Sequence, residues 1–257
     1  MHRARKRFGQ HFLHDRTVID RILRAVDPRP GDRLVEIGPG QGALTYPLLQ
    51  RCDRLIAVEL DRDLVPRLEQ EAQALGQLEV INADILEFEL SSIAGTDKLR
   101  LVGNLPYNIS TPLMFHLLES AHLIEDMHFM VQKEVAQRIV AHPGDSSYGR
   151  LSVMLQYQCR CQYLFEVAPA SFRPPPRVDS AVIRLLPMDE PEHEIGDYSS
   201  FARIVQSAFS QRRKTISNSL KSILDRETII GCGIDPSMRA ENLGIADFAA
   251  LSRARNP

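Results

Sequence analysis

The stretch RLVEIGPGQGALT, residues 33–45, passes from an apolar, strand-like segment through three closely spaced glycines into residues of helical habit. Glycines at 38, 40 and 42 let the chain turn sharply and approach a ligand more closely than any Cβ would permit. The loop alone does not name that ligand. Gly38, Gly40 and Ala43 also satisfy the G-x-G-x-x-A pattern of dinucleotide-binding folds, and a tight turn serving only helix packing is the plainer reading.

Working outward, the apolar runs RLVEIG (33–38), RLIAVEL (54–60), LEVINAD (78–84), LRLVGN (99–104) and MHFMVQ (127–132) read as strands. Segments between them, such as ALTYPLLQR and DLVPRLEQEAQAL, carry apolar residues at spacings of three and four. That alternation is the signature of parallel βαβ units, so the fold class is α/β. After Gly149 a helix through SVMLQYQ is followed by two strand-like runs, CQYLFEVA and SAVIRLL, with no helix between them, as expected of an antiparallel pair at a sheet edge. The acidic, proline-bearing PMDEPEHEIGD (187–197) then reads as a linker. Beyond it, Phe201, Ile204, Val205, Ala208, Phe209, Ile216, Leu220, Ile223 and Leu224 fall largely on one helical face, and ENLGIADFAALSRA adds a short helix. Two domains are expected: residues 1–188, the α/β part with a basic N-terminal arm, and residues 189–257, a small helical part.

At 257 residues the chain is long enough for both. Lys and Arg number 31 against 33 Asp and Glu, so net charge by itself points to no partner. The basic residues cluster instead at RARKR (3–7) and QRRKT (211–215), one near each end of the chain. Four cysteines without a disulfide-framework spacing fit a reducing cytoplasm, and no run approaches the length of a membrane span. Cys159 and Cys161 have no second Cys or His pair at zinc-like spacing and read as ordinary thiols, so no metal is expected.

Ligands of open α/β sheets bind where strands end, and each of the first four expected strands ends in chemistry. Gly38 opens the loop, Glu59 offers a carboxylate to ribose hydroxyls, and Asp84 offers an acceptor to an adenine amino group. The fourth end is GNLPYNIS, residues 103–110, which holds an amide and an aromatic ring but no strong acid, base or nucleophile. Such a set suits an exocyclic adenine amine, whose lone pair is delocalised into the ring. The Asn104 side-chain oxygen and the Leu105 carbonyl, presented by the rigid bond to Pro106, would hold its N–H groups and turn the lone pair toward a sulfonium methyl. Tyr107 would stack on the base, which has to be flipped or unpaired to enter.

GNLPYNIS, together with RFGQHFL (7–13), VEIGPGQGALT, SFRPPPRVDSAV (171–182) and FSQRRKTISNSL (209–220), closely resembles the S-adenosylmethionine-dependent adenine dimethyltransferases of small-subunit ribosomal RNA. The resemblance covers nearly the whole chain, in order. It implies a class I methyltransferase fold, with a Rossmann-like seven-stranded sheet and a C-terminal helical domain that binds RNA on the ribosome. It implies transfer of two methyl groups to N6 of each of two adjacent adenosines in a hairpin near the 3′ end of that RNA, within the assembling subunit. His11, Leu13, Gly38, Gly40, Glu59, Asp84 and Asn104 would contact the cofactor; position 11 is often Asn in the family, and His can also hydrogen-bond there. Asn104, Leu105, Pro106 and Tyr107 would form the amine site, with Phe172 a second aromatic wall. Arg5, Lys6 and Arg7, with Arg212, Arg213 and Lys214, are expected phosphate contacts. Three other readings compete: a methylase of large-subunit RNA, an assembly factor in which methylation is secondary, and a nicotinamide oxidoreductase, which leaves the NLPY segment unexplained.

Overall fold

The computed structural model describes residues 11–255, so Arg5, Lys6 and Arg7 lie outside the described residues. Among the described residues, nine strands form in chain order: β1 Phe12–Leu13, β2 Leu34–Ile37, β3 Arg54–Glu59, β4 Gln77–Asn82, β5 Leu99–Asn104, β6 Ile124–Gln132, β7 Cys159–Val167, β8 Phe172–Arg173 and β9 Ser180–Pro187. Ten helices accompany them: α1 Arg16–Val26, α2 Thr45–Cys52, α3 Val65–Ala72, α4 Ser110–Glu119, α5 Lys133–Val140, α6 Arg150–Gln158, α7 Tyr198–Phe209, α8 Ile216–Leu220, α9 Arg226–Gly231 and α10 Ile245–Arg255.

Seven strands make one sheet in the order β4-β3-β2-β5-β6-β9-β7. The pairs among β4, β3, β2, β5 and β6 are parallel, and β9 runs antiparallel to β6. The central strands are buried on both faces, which is why Leu34, Val35, Leu101 and Val102 read as continuous apolar runs rather than alternating ones. The chain winds from β2 out to β4 and returns to β5 on the other side of β2. The carboxyl ends of β2 and β5 thus flank a topological switch point, where open sheets bind ligands.

Three details depart from simple reading along the chain. The crossover between β4 and β5 holds no α-helix, only the single 3-10 turn Leu90–Ser92. β9, although later in sequence, sits inside β7 at the edge. The C-terminal apolar face is divided between α7 and α8 by the turn carrying the basic run.

The chain divides into two units: residues 162–187 join everything described up to Ala136, while Gln137–Cys161 joins Met188 and the residues after it. One crossing, at 187/188, falls where the linker was expected, but residues 137–161 belong with the C-terminal helices. Their apolar content explains this. Leu151, Val153, Met154 and Leu155 of α6 are all buried, and the Tyr148 hydroxyl donates to the Leu243 carbonyl at 3.0 Å. The Tyr148 and Phe209 rings meet edge-on at 6.0 Å, and those of Tyr157 and Phe201 lie 4.8 Å apart.

In the sheet unit, two devices position the carboxyl end of β5. The first is Arg100, near the start of that strand. It donates to both oxygens of Asp126 on β6 (3.1 and 2.9 Å), to Asp32 just before β2 (2.5 Å) and to the Val26 carbonyl at the end of α1 (2.6 Å). The second is a seam between the chain start and residues 171–174. Phe12 and Leu13 pair with Arg173 and Phe172, the His14 amide donates to the Ser171 carbonyl, and the Ser171 hydroxyl donates to Asp15. Asp15 also caps α1 through the amides of Thr17 and Val18. Replacing Arg100 by Met would leave the buried Asp126 carboxylate only its longer contact to Arg184 at 3.8 Å and is expected to cost about 3 kcal/mol of stability in urea unfolding; a loss below about 1 kcal/mol would mean the Arg100 ion pair does not hold β5 in place.

Candidate active site

A cavity of about 290 Å³ opens where β2, β3, β4 and β5 end. It is lined by His11, Leu13, Gly38, Gly40, Glu59, Asp84, Asn104, Leu105, Pro106 and Tyr107, so segments far apart in sequence meet in one place. The glycine loop is shaped for close approach. Gly40 has φ +58°, and a Cβ there would stand 3.2 Å from the Phe12 ring; Gly42 has φ +83°, and its Cβ would meet Tyr46 at 2.3 Å.

Glu59 holds this loop. Its two oxygens accept from the Gly40 amide (3.1 Å) and the Asp61 amide (2.8 Å), while burial, the largest influence, raises its pKa against those bonds. Each oxygen retains a lone pair for a further donor. Asp84 accepts from the Leu86 amide through one oxygen at 3.0 Å. Leu60 and Ile85, adjacent to the two acids, add apolar wall. A loop whose backbone borders the cavity, one carboxylate with spare acceptor capacity, a second acid and apolar flanks between them fit the ribose and adenine of S-adenosylmethionine.

Asn104 donates its side-chain amide to the His11 carbonyl at 2.9 Å. A carbonyl can only accept, so this bond identifies the amide nitrogen and leaves Oδ1 as the acceptor of that side chain. Tyr107 is fixed from two sides. Its hydroxyl is 2.6 Å from that of the buried Ser180, and the His11 ring stacks on it at 5.5 Å with planes 29° apart. His11 is itself held through Nδ1, 2.8 Å from the Pro174 carbonyl. Burial raises the Tyr107 pKa, with the Ser180 bond opposing, so the ring stays a neutral phenol.

Phe172 is the residue placed differently from expectation. It is only 1% exposed, pairs with Leu13 and packs in the core with Val18, Ile22 and Val182, so it does not line the cavity. Strand pairing with the chain start turns its ring inward. Glu36 was not anticipated as a site residue, yet it lines the cavity. An acid within the buried run LVEI was the available signal. Ser180 stands within the SFRPPPRVDSAV motif, and its partner Tyr107 lies 73 positions away.

Arg212, Arg213 and Lys214 are all exposed, and the Arg212 guanidinium also donates to the carbonyls of Ser146 (2.8 Å) and Tyr148 (3.2 Å) within the second unit. Among the described residues there is no group of three or more His, Cys, Asp or Glu able to hold a metal ion, and no helix long and apolar enough to cross a membrane.

A doubly wound sheet with a glycine loop, strand-end acids and an N-x-P-Y segment on one cavity defines a class I methyltransferase. Solved structures agree. A dimethyladenosine transferase from Plasmodium falciparum superposes with a TM-score of 0.79 at 25% identity, covering 94% of this chain and 96% of that one. The 23S rRNA methyltransferase ErmE gives 0.75 at 27% identity, covering 96% and 100%. The chain belongs to the ribosomal RNA adenine dimethylase family, whose model matches residues 1–255. It is similar to the ribosomal RNA small subunit methyltransferase A of Pseudomonas aeruginosa, 54% identical over 98% of this chain and 94% of the relative. The protein of that name from Alcanivorax borkumensis is 52% identical over 100% of this chain and 91% of its own length.

Replacing Tyr107 by Phe keeps the stacking ring and removes the partner of Ser180. The expected loss is about 1 kcal/mol in chemical unfolding, and an unchanged midpoint would mean the hydroxyl pair does not hold the ring.

Proposed function

We propose that this enzyme transfers methyl groups to N6 of two adjacent adenosines in a hairpin near the 3′ end of small-subunit ribosomal RNA, giving dimethyladenosines, in the assembling small subunit of the cytoplasm. The methyl donor is S-adenosylmethionine, which supplies an electrophilic sulfonium methyl when bound. The observation that carries the reading is the bond from the Asn104 amide to the His11 carbonyl, which leaves Oδ1 as an uncharged acceptor at the cavity.

Each residue then has a task. Asn104 Oδ1 and the Leu105 carbonyl accept from the adenine amine, and Pro106 restricts the backbone that presents the latter. Those acceptors favour a pyramidal nitrogen with its lone pair directed across the cavity. No strong base is required, because the alkylated nitrogen is acidic enough to lose its proton afterwards. A neutral acceptor also suits the second transfer, when one N–H remains to be held. Tyr107 stacks on the base with the face opposite His11. Gly38, Gly40, Glu59 and Asp84, with His11 and Leu13, form the cofactor side. Phe172 supports the seam beneath them rather than walling the base.

Residues 1–188 supply catalysis and residues 189–257 RNA binding in this reading, with 137–161 attached to the latter. Arg212, Arg213 and Lys214, together with Arg5, Lys6 and Arg7, meet phosphates, and Arg212 also ties the turn to the carbonyls of Ser146 and Tyr148. The greater identity to the small-subunit relatives than to the 23S enzyme supports the choice of RNA.

Labelled-methyl transfer to unmethylated small subunits, followed by mapping, is expected to mark two adjacent adenosines. Asn104→Ala is expected to lower the rate by about 10²-fold or more, because the amine loses its alignment; a rate within a few-fold of the parent would remove Asn104 from the chemistry. Joint replacement of Arg213 and Lys214 by Ala is expected to weaken RNA binding and reduce the slope of log affinity against log salt by about one per lost contact, with donor binding intact. An unchanged slope would take both residues out of the interface.

A further inference from the structure

Glu36 lies in the central strand β2, opposite Ala57 of β3 and Val102 of β5, and is 2% exposed. It lines the cavity, and its Oε2 has no hydrogen-bond partner. A buried carboxylate with only the Thr45 hydroxyl beside it is costly, and no basic side chain among the described lining residues offsets it. The charged or titratable residues around the cavity are His11 from the chain start, Glu59 from β3, Asp84 beyond β4 and Tyr107 beyond β5; none of the described lining residues is Lys or Arg. From α2, the Thr45 hydroxyl faces the same carboxyl, while the Tyr46 hydroxyl lies toward Glu71 of α3, with Arg67 of that helix nearby. Asp61, buried after β3, adds a further acid near Glu59. The cavity is thus built for a cation yet contains none of its own.

We propose, resting on the cofactor reading above, that Glu36 is the charge-sensing group of this site: it ionises as the cationic donor enters and is reprotonated once the sulfonium has become a neutral thioether. Atoms and charge balance simply. On binding, the Glu36 proton passes to solvent; on transfer the sulfur–methyl bond breaks as the nitrogen–methyl bond forms, the alkylated nitrogen releases its proton to solvent, and Glu36 takes one proton back. Methyl transfer itself then loosens the hold on spent cofactor, which matters for an enzyme that must reload several times on one RNA.

Burial, with the Glu59 charge adding and Thr45 opposing, raises the Glu36 pKa to about 8 in the free protein. Below that pH the free protein carries the proton and the donor complex does not. Donor affinity therefore rises with pH, by at most about tenfold per unit, up to the free pKa and is flat above it; product affinity lacks this dependence.

Titration calorimetry of the full chain at about pH 6.5, in two buffers of different ionisation enthalpy, tests the idea with S-adenosylmethionine and S-adenosylhomocysteine. The two share carboxylate and ammonium, so their difference isolates the sulfonium. The expected result is about one more proton released with the donor than with the product, a difference abolished by Glu36→Gln, whose preference for donor over product falls by about tenfold. Equal proton release for the two ligands in the parent protein overturns the inference while leaving the cofactor reading intact. Failure of either ligand to bind overturns both. The parent comparison decides even where the variant does not fold.

Discussion

Asn104 gives its side-chain amide protons to the backbone carbonyl of His11, 93 residues earlier in the chain, and much of the site depends on that bond. It orients the amide without using its oxygen. It also requires the chain start to lie against the end of β5, which the seam between residues 12–15 and 171–173 enforces. From the other direction, Arg100 ties the beginning of β5 to β6, to α1 and to the segment before β2. The Asn104 amide therefore sits at the end of a strand constrained at both extremities, as the proposed alignment chemistry requires.

The electrostatics of the cavity are those of a site that works by alignment and charge complementarity. The pKa values of Glu36 and Glu59 are both raised by burial, and the lining contains acids without Lys or Arg. A cationic donor is welcome there. In the proposed reaction the amine meets a neutral amide oxygen, which can hold an N–H before each transfer without binding the product as an ion pair. The His11 ring, stacked on Tyr107 and held by the Pro174 carbonyl, links the proposed cofactor side of the site to the proposed base side.

The second unit sorts its own charges. Arg212 ties its turn to the segment at 146–148 by donating to two backbone carbonyls, yet it stays exposed with Arg213 and Lys214. One exposed basic run therefore combines an architectural contact with free surface charge. A guanidinium fork can satisfy two carbonyls at once, whereas the shorter list of donors on Lys214 favours a single point contact.

The sequence alone determined the α/β class, the glycine loop, the acids at the ends of β3 and β4, and the Asn104–Tyr107 segment, because each is local: strand ends, glycines and proline act within a few residues of themselves. It also identified the family, since five ordered motifs span the chain. Tertiary structure decided the rest. Phe172 faces the core because its strand pairs with one 159 residues away; Glu36 reaches the cavity because the sheet folds a pocket over the end of β2; residues 137–161 join the C-terminal helices because their apolar faces find partners there. Those outcomes rest on contacts between distant segments, and only packing selects among the partners that a pattern of apolar and polar residues allows.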